Sequence, residues 1–243
     1  MKAPHRRRAV KAKYKRILLK ISGEALSGEV GHGFDKNALN SVAKQIREVA
    51  DLGVEVGVVV GGGNIWHGRQ GLDMDRVTAD QMGMLATVIN ALAVSEAISG
   101  AGVEAKVLTS IAISGVGETF NHKLADKYLK EGKVVVFGGG TGNPFFSTDT
   151  GASLKAAEIG ADALLLAKNI DGIYDSDPKL NPNAKKFDSL TYDEYVEKGL
   201  KAMDTSAVIM CKENGLKVHA FGLSGEKSIL KAVAGDKEGT VIY

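Results

Sequence analysis

The sequence predicts an α/β fold, a three-layer αβα sandwich with a mostly parallel central sheet. From Tyr14 onward, short apolar segments typical of buried strands alternate with amphipathic segments typical of helices. Three of the predicted strands run directly into glycine-rich turns, as expected at the carboxyl edge of a parallel sheet. The sequence contains no internal repeat and no flexible linker. We therefore expect a single domain over residues 14–243, preceded by a basic arm over residues 1–13.

The individual elements follow from apolar periodicity and from residues that begin or end helices. Strands are expected at residues 16–21, 54–60, 104–108, 133–137, 163–167, 216–221 and 240–243. Helices are expected from an Asp35 cap to Gly53, from a Thr78–Gln81 capping box to about Gly100, through Leu124 and Tyr128 to Gly132, and at residues 152–159, 205–213 and 227–233. Thr191 and Glu194 form a second capping box. Residues 171–190, rich in turn formers and aspartate, are expected to form a long ordered loop.

The composition, with 44% apolar and 25% charged residues, is ordinary for a soluble globular protein. Of 31 basic residues, eight lie in residues 1–16 with no acid among them, which leaves 23 basic against 29 acidic residues in the remainder. We therefore expect a disordered, solvated arm and no specific nucleic-acid partner. The single cysteine, Cys211, excludes an internal disulfide and fits a reducing cytosol. Because the longest apolar runs are too short to span a bilayer, we expect a cytoplasmic protein without membrane contact.

Glycine follows three of the predicted strands, at Ser22-Gly23, at residues 61–64 and at residues 138–143. Glycine lets a backbone approach a phosphate closely, and the N–H groups of such turns act as donors to it. One turn of this kind could be only a tight connection. Three turns at one edge of the sheet, with Lys20 beside the first, indicate an extended site for two phosphate-bearing ligands.

Several familiar site patterns are absent from the sequence. It contains no G-x-x-x-x-G-K-[ST] and no G-x-G-x-x-G, and it lacks the H-R-D and D-F-G motifs of protein kinases. The five histidines are scattered and form no zinc-binding motif. A Ser/His/Asp hydrolase would require a G-x-S-x-G turn, which is also missing.

The candidate catalytic residues are Lys20, Asp149 and Asp204. Phosphoryl transfer depends on positioning and cationic charge more than on covalent chemistry. Lys20 closes a strand beside a glycine turn and is the best cation candidate, whereas the two aspartates are candidates to hold Mg²⁺ or to orient lysines. Phe145 and Phe146 are expected to form a wall of the site or part of the core.

Six segments resemble bacterial UMP kinases of the amino acid kinase fold. They are KISGEAL at 20–26, VGGGN at 60–64, ADQMGMLAT at 79–87, TGNPFFSTD at 141–149, DGIYDSDP at 171–178 and KAMD at 201–204. The resemblance extends from about Tyr14 to the end of the chain. TGNPFF is the most diagnostic segment, because relatives that act on amino acids do not share it.

The resemblance implies reversible, Mg²⁺-dependent transfer of the ATP γ-phosphate to UMP in pyrimidine nucleotide synthesis. It also implies a homohexamer that is activated by GTP and inhibited by UTP. The ATP-binding residues it implies are Lys20, Ile21, Ser22, Gly23, Gly63, His67, Lys168, Tyr174 and Asp177. The UMP-binding residues it implies are Gly62, Asp80, Thr141, Gly142, Asn143, Pro144, Phe145, Phe146, Ser147 and Thr148. The loop it implies for GTP activation is Gly28, Glu29, Val30, Gly31, His32 and Gly33, and Asp149 is the candidate Mg²⁺ ligand together with the ATP phosphates.

The sequence departs from the family pattern at one position. The family usually reads G-G-G-N-[IL]-[FW]-R-G, whereas this chain has His67 in place of the arginine and Arg69 two positions later. Imidazole is mostly neutral at pH 7 and lacks the planar fork of a guanidinium group. We therefore expect weaker contact with phosphate or with an effector at this position. The alternative is that Arg69 reaches back and replaces the missing arginine.

Two alternative functions remain open. One is a kinase of the same fold that acts on an amino acid, on acetylglutamate or on carbamate, and the other is a non-catalytic anion-storage protein. The presence of Lys20, Asp149 and Asp204 together favours catalysis. The TGNPFF segment argues against an acyl acceptor.

Overall fold

Nine strands form one sheet in the computed structural model, which describes residues 10–66, 73–223, 227–236 and 238–243. They are β1 (Arg16–Ile21), β2 (Glu55–Val60), β3 (Ala105–Thr109), β4 (Glu118–Thr119), β5 (Val134–Gly138), β6 (Ala163–Lys168), β7 (Ser189–Leu190), β8 (Lys217–Gly222) and β9 (Thr240–Ile242). The order across the sheet is β4-β3-β5-β2-β1-β6-β8-β9-β7. All neighbouring strands are parallel except β8 and β9.

Helices cover both faces of this sheet, which confirms the predicted three-layer αβα sandwich. They are α1 (Lys36–Ala50), α2 (Arg76–Gly100), α3 (His122–Lys130), α4 (Thr148–Glu158), α5 (Tyr192–Glu197), α6 (Thr205–Glu213) and α7 (Ser228–Ala234). Buried side chains of α1, α2 and α7 share one apolar cluster with the sheet, and those of α3, α4, α5 and α6 share the other. Two short 3-10 helices, Gly23–Leu26 and Gly28–Val30, follow β1.

The central strand β1 determines on which face the candidate lysine lies. Ile17 and Leu19 are fully buried in the cluster on the α1 face, whereas Leu18 is fully buried in the cluster on the α4 face. Burying each of these side chains contributes about 1.5–3 kcal/mol to stability. Since side chains alternate between the faces of a strand, Lys20 lies on the same face as Leu18 and points towards the layer of α4.

Two of the predicted helix caps are confirmed. Asp35 accepts a hydrogen bond from Ala38 N at 2.7 Å and caps α1. Thr191 and Glu194 form a reciprocal capping box at the start of α5. Each of these signals is local, because the side chain and its backbone partner lie within three residues of one another.

The predicted Thr78–Gln81 capping box is wrong. α2 begins at Arg76, and Asp75 caps it by accepting a hydrogen bond from Thr78 N at 2.9 Å. Thr78 therefore lies inside the first turn. An aspartate three residues earlier in the sequence provides an equally good cap, and the helix extends back to it.

α4 begins four residues before the predicted segment 152–159. Ser147 caps it, accepting hydrogen bonds from Asp149 N at 3.0 Å and from Thr150 N at 3.2 Å. The first turn of α4 consequently contains Asp149. This early start brings the carboxylate to the carboxyl edge of the sheet.

The loop over residues 171–190 is largely irregular, as predicted, with one antiparallel bridge between Tyr174 and Lys186 and with β7 at its end. β4 was not predicted, because a strand of two residues carries no periodicity.

The predicted N-terminal arm contacts the fold at its last residue, since Lys13 N donates a hydrogen bond to Val233 O at 2.9 Å. Residues 1–9 lie outside the described residues, and the division into an arm and one domain stays a prediction.

One helix of the described residues, α2, is long and apolar enough to span a membrane by length and composition. Half of its most apolar window is buried inside the protein. The core helix of a soluble protein meets the same criterion, so this feature is weak evidence for a membrane segment.

Candidate active site

Two cavities open at the carboxyl edge of the sheet and share Lys20, Ser22 and Glu24 in their walls. The first cavity, of about 500 Å³, lies between the start of α2 and the glycine turns after β1, β2 and β5. The second cavity, of about 800 Å³, lies between residues 168–179 and residues 198–202. Two ligands bound in these cavities would meet at the end of β1.

Lys20 and Asp149 form an ion pair where the two cavities join. Lys20 Nζ lies 2.9 Å from Asp149 Oδ1, and the two side chains are only 12% and 16% exposed. Oδ1 is fully buried, so the ammonium group of Lys20 takes the place of solvent at this oxygen. A partly buried pair of this kind is screened little by solvent, so its charges act strongly on neighbouring groups.

Lys168, at the end of β6, adds a second cation beside this pair. Burial lowers the pKa of its ammonium group, Asp149 opposes that shift, and the charge of Lys20 lowers the pKa further. The ammonium group donates a hydrogen bond to the carbonyl of Ala202 and lies in the wall of the second cavity. Two largely buried cations that both interact with Asp149 favour an anion such as a polyphosphate.

Ser22 provides a hydroxyl at the same junction. Its Oγ is buried and has no hydrogen-bond partner among the described residues. Buried polar atoms are nearly always paired, and exceptions call for an explanation. A phosphate oxygen at the junction of the cavities would satisfy both Ser22 Oγ and the nearby cations.

Asp204 connects the N-termini of two helices at the base of the first cavity. Its carboxylate accepts hydrogen bonds from Ala207 N at 3.0 Å, from Thr150 Oγ1 at 2.9 Å and from the hydroxyl of Ser147. Ser147 caps α4 and Asp204 caps α6, so both helices begin at this wall. The positive ends of their dipoles add to the preference for anions.

The glycine turns after β1 and β2 approach each other too closely for side chains. A β-carbon at Gly23 would lie 2.5 Å from Gly61 O and 2.7 Å from Gly63 N. Any substitution there would force the turns apart, because atoms essentially never come so close. The predicted proximity of the glycine turns is therefore a feature of the folded backbone.

A buried pair of amides holds the turn after β2. Asn90 is fully buried in α2, and its Nδ2 donates to Gly61 O at 2.6 Å and to Asn64 Oδ1 at 2.7 Å. Asn64 Nδ2 donates in turn to Gly33 O at 2.8 Å, which ties the loop over residues 28–33 to the same turn. Sequence reasoning missed Asn90, although an amide on the apolar side of a helix is a signal of a buried polar role.

Phe145 and Phe146 are not part of the core. Their exposed fractions are 61% and 54%, and Phe146 lies in the wall of the first cavity. Phe145 has a positive φ of 72°. The expectation of core packing was wrong, because the segment before α4 folds over the rim of the cavity instead of into the protein.

The cavities bring most of the predicted site residues together. The predicted residues in the wall of the first cavity are Gly23, Gly62, Gly63, Asp80, Thr141, Asn143, Phe146, Ser147, Thr148, Asp149 and Asp204. Those in the wall of the second are Lys168, Tyr174 and Asp177, and Lys20 and Ser22 lie in both. Ile21, Gly142, Pro144 and Phe145 contribute to neither wall. Gly23 and Gly63 were predicted to bind ATP, but they lie in the wall of the first cavity together with Asp80, which was predicted to bind UMP. His67 lies outside the described residues.

Several wall residues were not predicted from the sequence. In the first cavity they include Trp66 and Arg76, and in the second Lys179, Lys198 and Lys201. Glu24 lies in both walls. Lysines on irregular segments look like solvated surface in a sequence. Only the fold brings Lys179, from the loop over residues 171–190, and the two lysines that follow α5 to one cavity.

The described residues contain no group of three or more His, Cys, Asp or Glu side chains arranged to hold a metal ion. Asp149 nevertheless offers a carboxylate at the junction of the cavities, with its buried Oδ1 paired to Lys20 Nζ. Mg²⁺ prefers oxygen ligands and is often bound by one or two carboxylates together with substrate phosphates. The site therefore fits a Mg²⁺ ion that arrives with a nucleotide.

Residues 15–222 match the model of the amino acid kinase family. A crystal structure of UMP kinase from Bacillus anthracis is 37% identical, with a TM-score of 0.91 over 94% of this chain and 96% of that chain. UMP kinase from Ureaplasma parvum is 36% identical, with a TM-score of 0.88 over 94% and 98% of the two chains. Uridylate kinase from Archaeoglobus fulgidus is 30% identical, with a TM-score of 0.71 over 93% and 99%.

Proposed function

The chain belongs to the amino acid kinase family, and from that premise we propose that it is a UMP kinase, which transfers the γ-phosphoryl group of ATP to UMP and forms UDP and ADP. The observation that carries the proposal is the meeting of two cavities at Lys20, with the TGNPFF segment at the rim of one of them. An enzyme that transfers a phosphoryl group from one nucleotide to another must hold both ligands so that they meet at one point. An anion-storage protein need not.

In this proposal ATP occupies the second cavity. The walls of that cavity carry several lysines, among them Lys20 and Lys168, and the ring of Tyr174. Cations suit the triphosphate, and an aromatic ring suits the adenine base. The γ-phosphate then lies at the junction of the cavities.

UMP occupies the first cavity, with its phosphate towards Lys20. Asp80 and the loop over residues 141–148 surround the nucleoside. A cavity that hydrogen-bonds one base leaves its polar groups unpaired with another, which supports selection of uracil over cytosine. The acceptor oxygen and the γ-phosphate meet beside Ser22.

Lys20 and Lys168 stabilise the negative charge on the transferring phosphoryl group, and Asp149 orients Lys20 through their ion pair. Ser22 Oγ donates a hydrogen bond to a phosphate oxygen, and the N-termini of α4 and α6 add donors and positive potential. Asp149 is the residue that would hold Mg²⁺. The ion would neutralise phosphate charge while ATP is bound.

We further propose the regulation and assembly implied by the resemblance: activation by GTP, inhibition by UTP, a homohexamer, and a cytoplasmic role in pyrimidine nucleotide synthesis. The loop over residues 28–33 supports a regulatory role, since Gly33 is hydrogen-bonded to Asn64 beside the first cavity. Leu85, Ile89 and Leu92 form an exposed apolar stripe on α2, which supports self-association.

An ADP-release assay with UMP, CMP, acetylglutamate, aspartate and carbamate tests the function. We expect ATP- and Mg²⁺-dependent turnover with UMP and a far lower kcat/KM with CMP. Comparable kcat/KM values for UMP and CMP would refute the acceptor. Turnover with a carboxylate or with carbamate, but not with UMP, would favour a kinase that acts on an acyl acceptor. If no compound leads to ADP release, the anion-storage protein is favoured.

A further inference from the structure

Arg76, the first residue of α2, contacts both an acidic side chain of its own helix and the loop that closes the first cavity. Its Nε lies 2.9 Å from Asp80 Oδ2, and its guanidinium carbon lies 5.3 Å from the centre of the Phe145 ring. Arg76 also contributes to the wall of the first cavity. No prediction from the sequence assigned it a role.

We propose that Arg76 is a positioning residue for the acceptor nucleotide, because it holds the Asp80 carboxylate and the loop over residues 141–147 in their binding conformation. The proposal rests on the proposed function, since it concerns how UMP is held in the first cavity. It adds a residue that acts through Asp80 and Phe145 and need not touch the nucleotide.

The Asp80 carboxylate is the centre of the arrangement. Its Oδ2 accepts two hydrogen bonds, from Arg76 Nε at 2.9 Å and from Phe145 N at 2.7 Å. Its Oδ1 receives no donor from the described residues, and the side chain lies in the cavity wall. The two donors on Oδ2 fix the carboxylate plane and leave Oδ1 for a donor of the ligand, such as a hydroxyl group.

Phe145 has a backbone conformation that needs such support. Its φ of 72° lies in the left-handed region, which a residue with a β-carbon rarely adopts. Strained residues persist where surrounding contacts hold them, and they cluster at ligand-binding sites. The hydrogen bond from Phe145 N to Asp80 and the cation–π contact of its ring with Arg76 support this conformation.

The chemistry of arginine suits this role. The Nε hydrogen bond to Asp80 uses one of five N–H donors, and the guanidinium group can at the same time lie over the aromatic ring of Phe145. A lysine would keep the charge near Asp80 and lose the fixed plane. Loss of Arg76 would free the Asp80 carboxylate to rotate and would allow the loop to relax from its strained conformation.

The test compares wild type, Arg76→Ala and Arg76→Lys in steady-state kinetics with UMP and ATP varied separately. Arg47→Ala is the matched control, because Arg47 Nε pairs with Asp51 Oδ2 at 3.5 Å across the same four-residue spacing on α1, away from both cavities. Amide hydrogen exchange in the segment that contains Phe145 is measured on the same four proteins. Exchange reports on the loop whichever reaction the protein catalyses.

We expect Arg76→Ala to raise KM for UMP about tenfold, with kcat and KM for ATP within about twofold of wild type. Arg76→Lys should recover part of the loss, and exchange at Phe145 should be faster in Arg76→Ala but not in Arg47→Ala. Unchanged KM for UMP or unchanged exchange in Arg76→Ala would overturn the proposal, as would an equal rise in both KM values. A wild-type protein that does not phosphorylate UMP would refute the proposed function, and exchange would still decide whether Arg76 holds the loop.

Discussion

At the scale of single residues, the position of Lys20 at the end of β1 determines where the candidate site has its central positive charge. The alternation along β1 directs its side chain to the face of the sheet where α4 begins. There it meets Asp149, whose position in the first turn of α4 results from the Ser147 cap. The charge of Lys20 is therefore held at the junction of two cavities by one strand and one helix, both rigid elements.

We expect Lys20→Ala to lower kcat by more than a hundredfold while the protein stays folded. A transition-state contact with a charged group contributes ~3 kcal/mol, which corresponds to about two decades in rate. Kinetics of phosphoryl transfer and circular dichroism provide the measurement. Lys212→Ala is the control, because Lys212 is a half-exposed lysine paired with Asp193 away from both cavities. A folded Lys20→Ala variant with kcat near that of wild type would contradict the assignment.

At the scale of elements, the antiparallel pair β8 and β9 contains a titratable group that the site does not use. His219 is 3% exposed, and its Nε2 lies 2.6 Å from the carbonyl oxygen of Glu238. Burial lowers the pKa of His219, the Glu238 carbonyl opposes the shift, and the charge of Lys13 lowers the pKa further. The imidazole is therefore held in its neutral form where the last strand joins the sheet.

This burial makes the stability of the protein depend on pH. Because the folded pKa lies below the ordinary 6.5, the unfolded chain takes up a proton first as the pH falls. The stabilising contribution is present above pH ~6.5 and is lost as the pH falls towards the folded pKa. One proton accounts for at most about 1.4 kcal/mol of unfolding free energy per pH unit. We expect urea unfolding between about pH 6.5 and 5.5 to give a smaller slope of free energy against pH for His219→Gln than for wild type, and equal slopes would contradict this role.

At the scale of the whole molecule, α2 packs against the sheet, forms part of a cavity wall and exposes an apolar stripe. Its buried side chains, such as Ala91, Val94 and Ile98, pack against the sheet. Its first turn forms a wall of the first cavity. Its remaining face exposes Leu85, at 49%, and two further apolar residues at helical spacing. An apolar stripe on a long helix is suited to pack against a second copy of the chain.

We expect Leu85→Glu to reduce the mass of the assembly, because a charge in an apolar interface loses its hydration without gaining a partner. Sedimentation equilibrium of wild type should give a mass above the 25.6 kDa of one chain, and Leu85→Glu should shift the distribution towards smaller species. Leu180→Glu is the control, since Leu180 is 84% exposed on the loop over residues 171–190. A monomeric wild type, or a Leu85→Glu variant of unchanged mass, would show that this stripe is not an interface.

The sequence by itself determined the features that depend on neighbouring residues. Periodicity identified the main strands and helices, and the caps at Asp35 and Thr191 were recognisable because each side chain reaches a backbone group within one turn. The glycine turns and Lys20 were recognisable for a similar reason, since parallel strands share a carboxyl edge whatever their order. The local signal misled at the start of α2, where two caps competed at Asp75 and Thr78, and at the start of α4, which Ser147 caps four residues before the predicted segment.

Only the tertiary structure decided which residues lie in the wall of which cavity. The contact of Asp80 with Phe145 joins residues 65 positions apart, and that of Asn90 with Gly61 joins residues 29 apart. Neither pair has a periodicity or a spacing that a sequence pattern could reveal. Their meeting depends on strand order and on the packing of α2 across the sheet, which are settled by the burial of the whole core and not by the preference of any one segment.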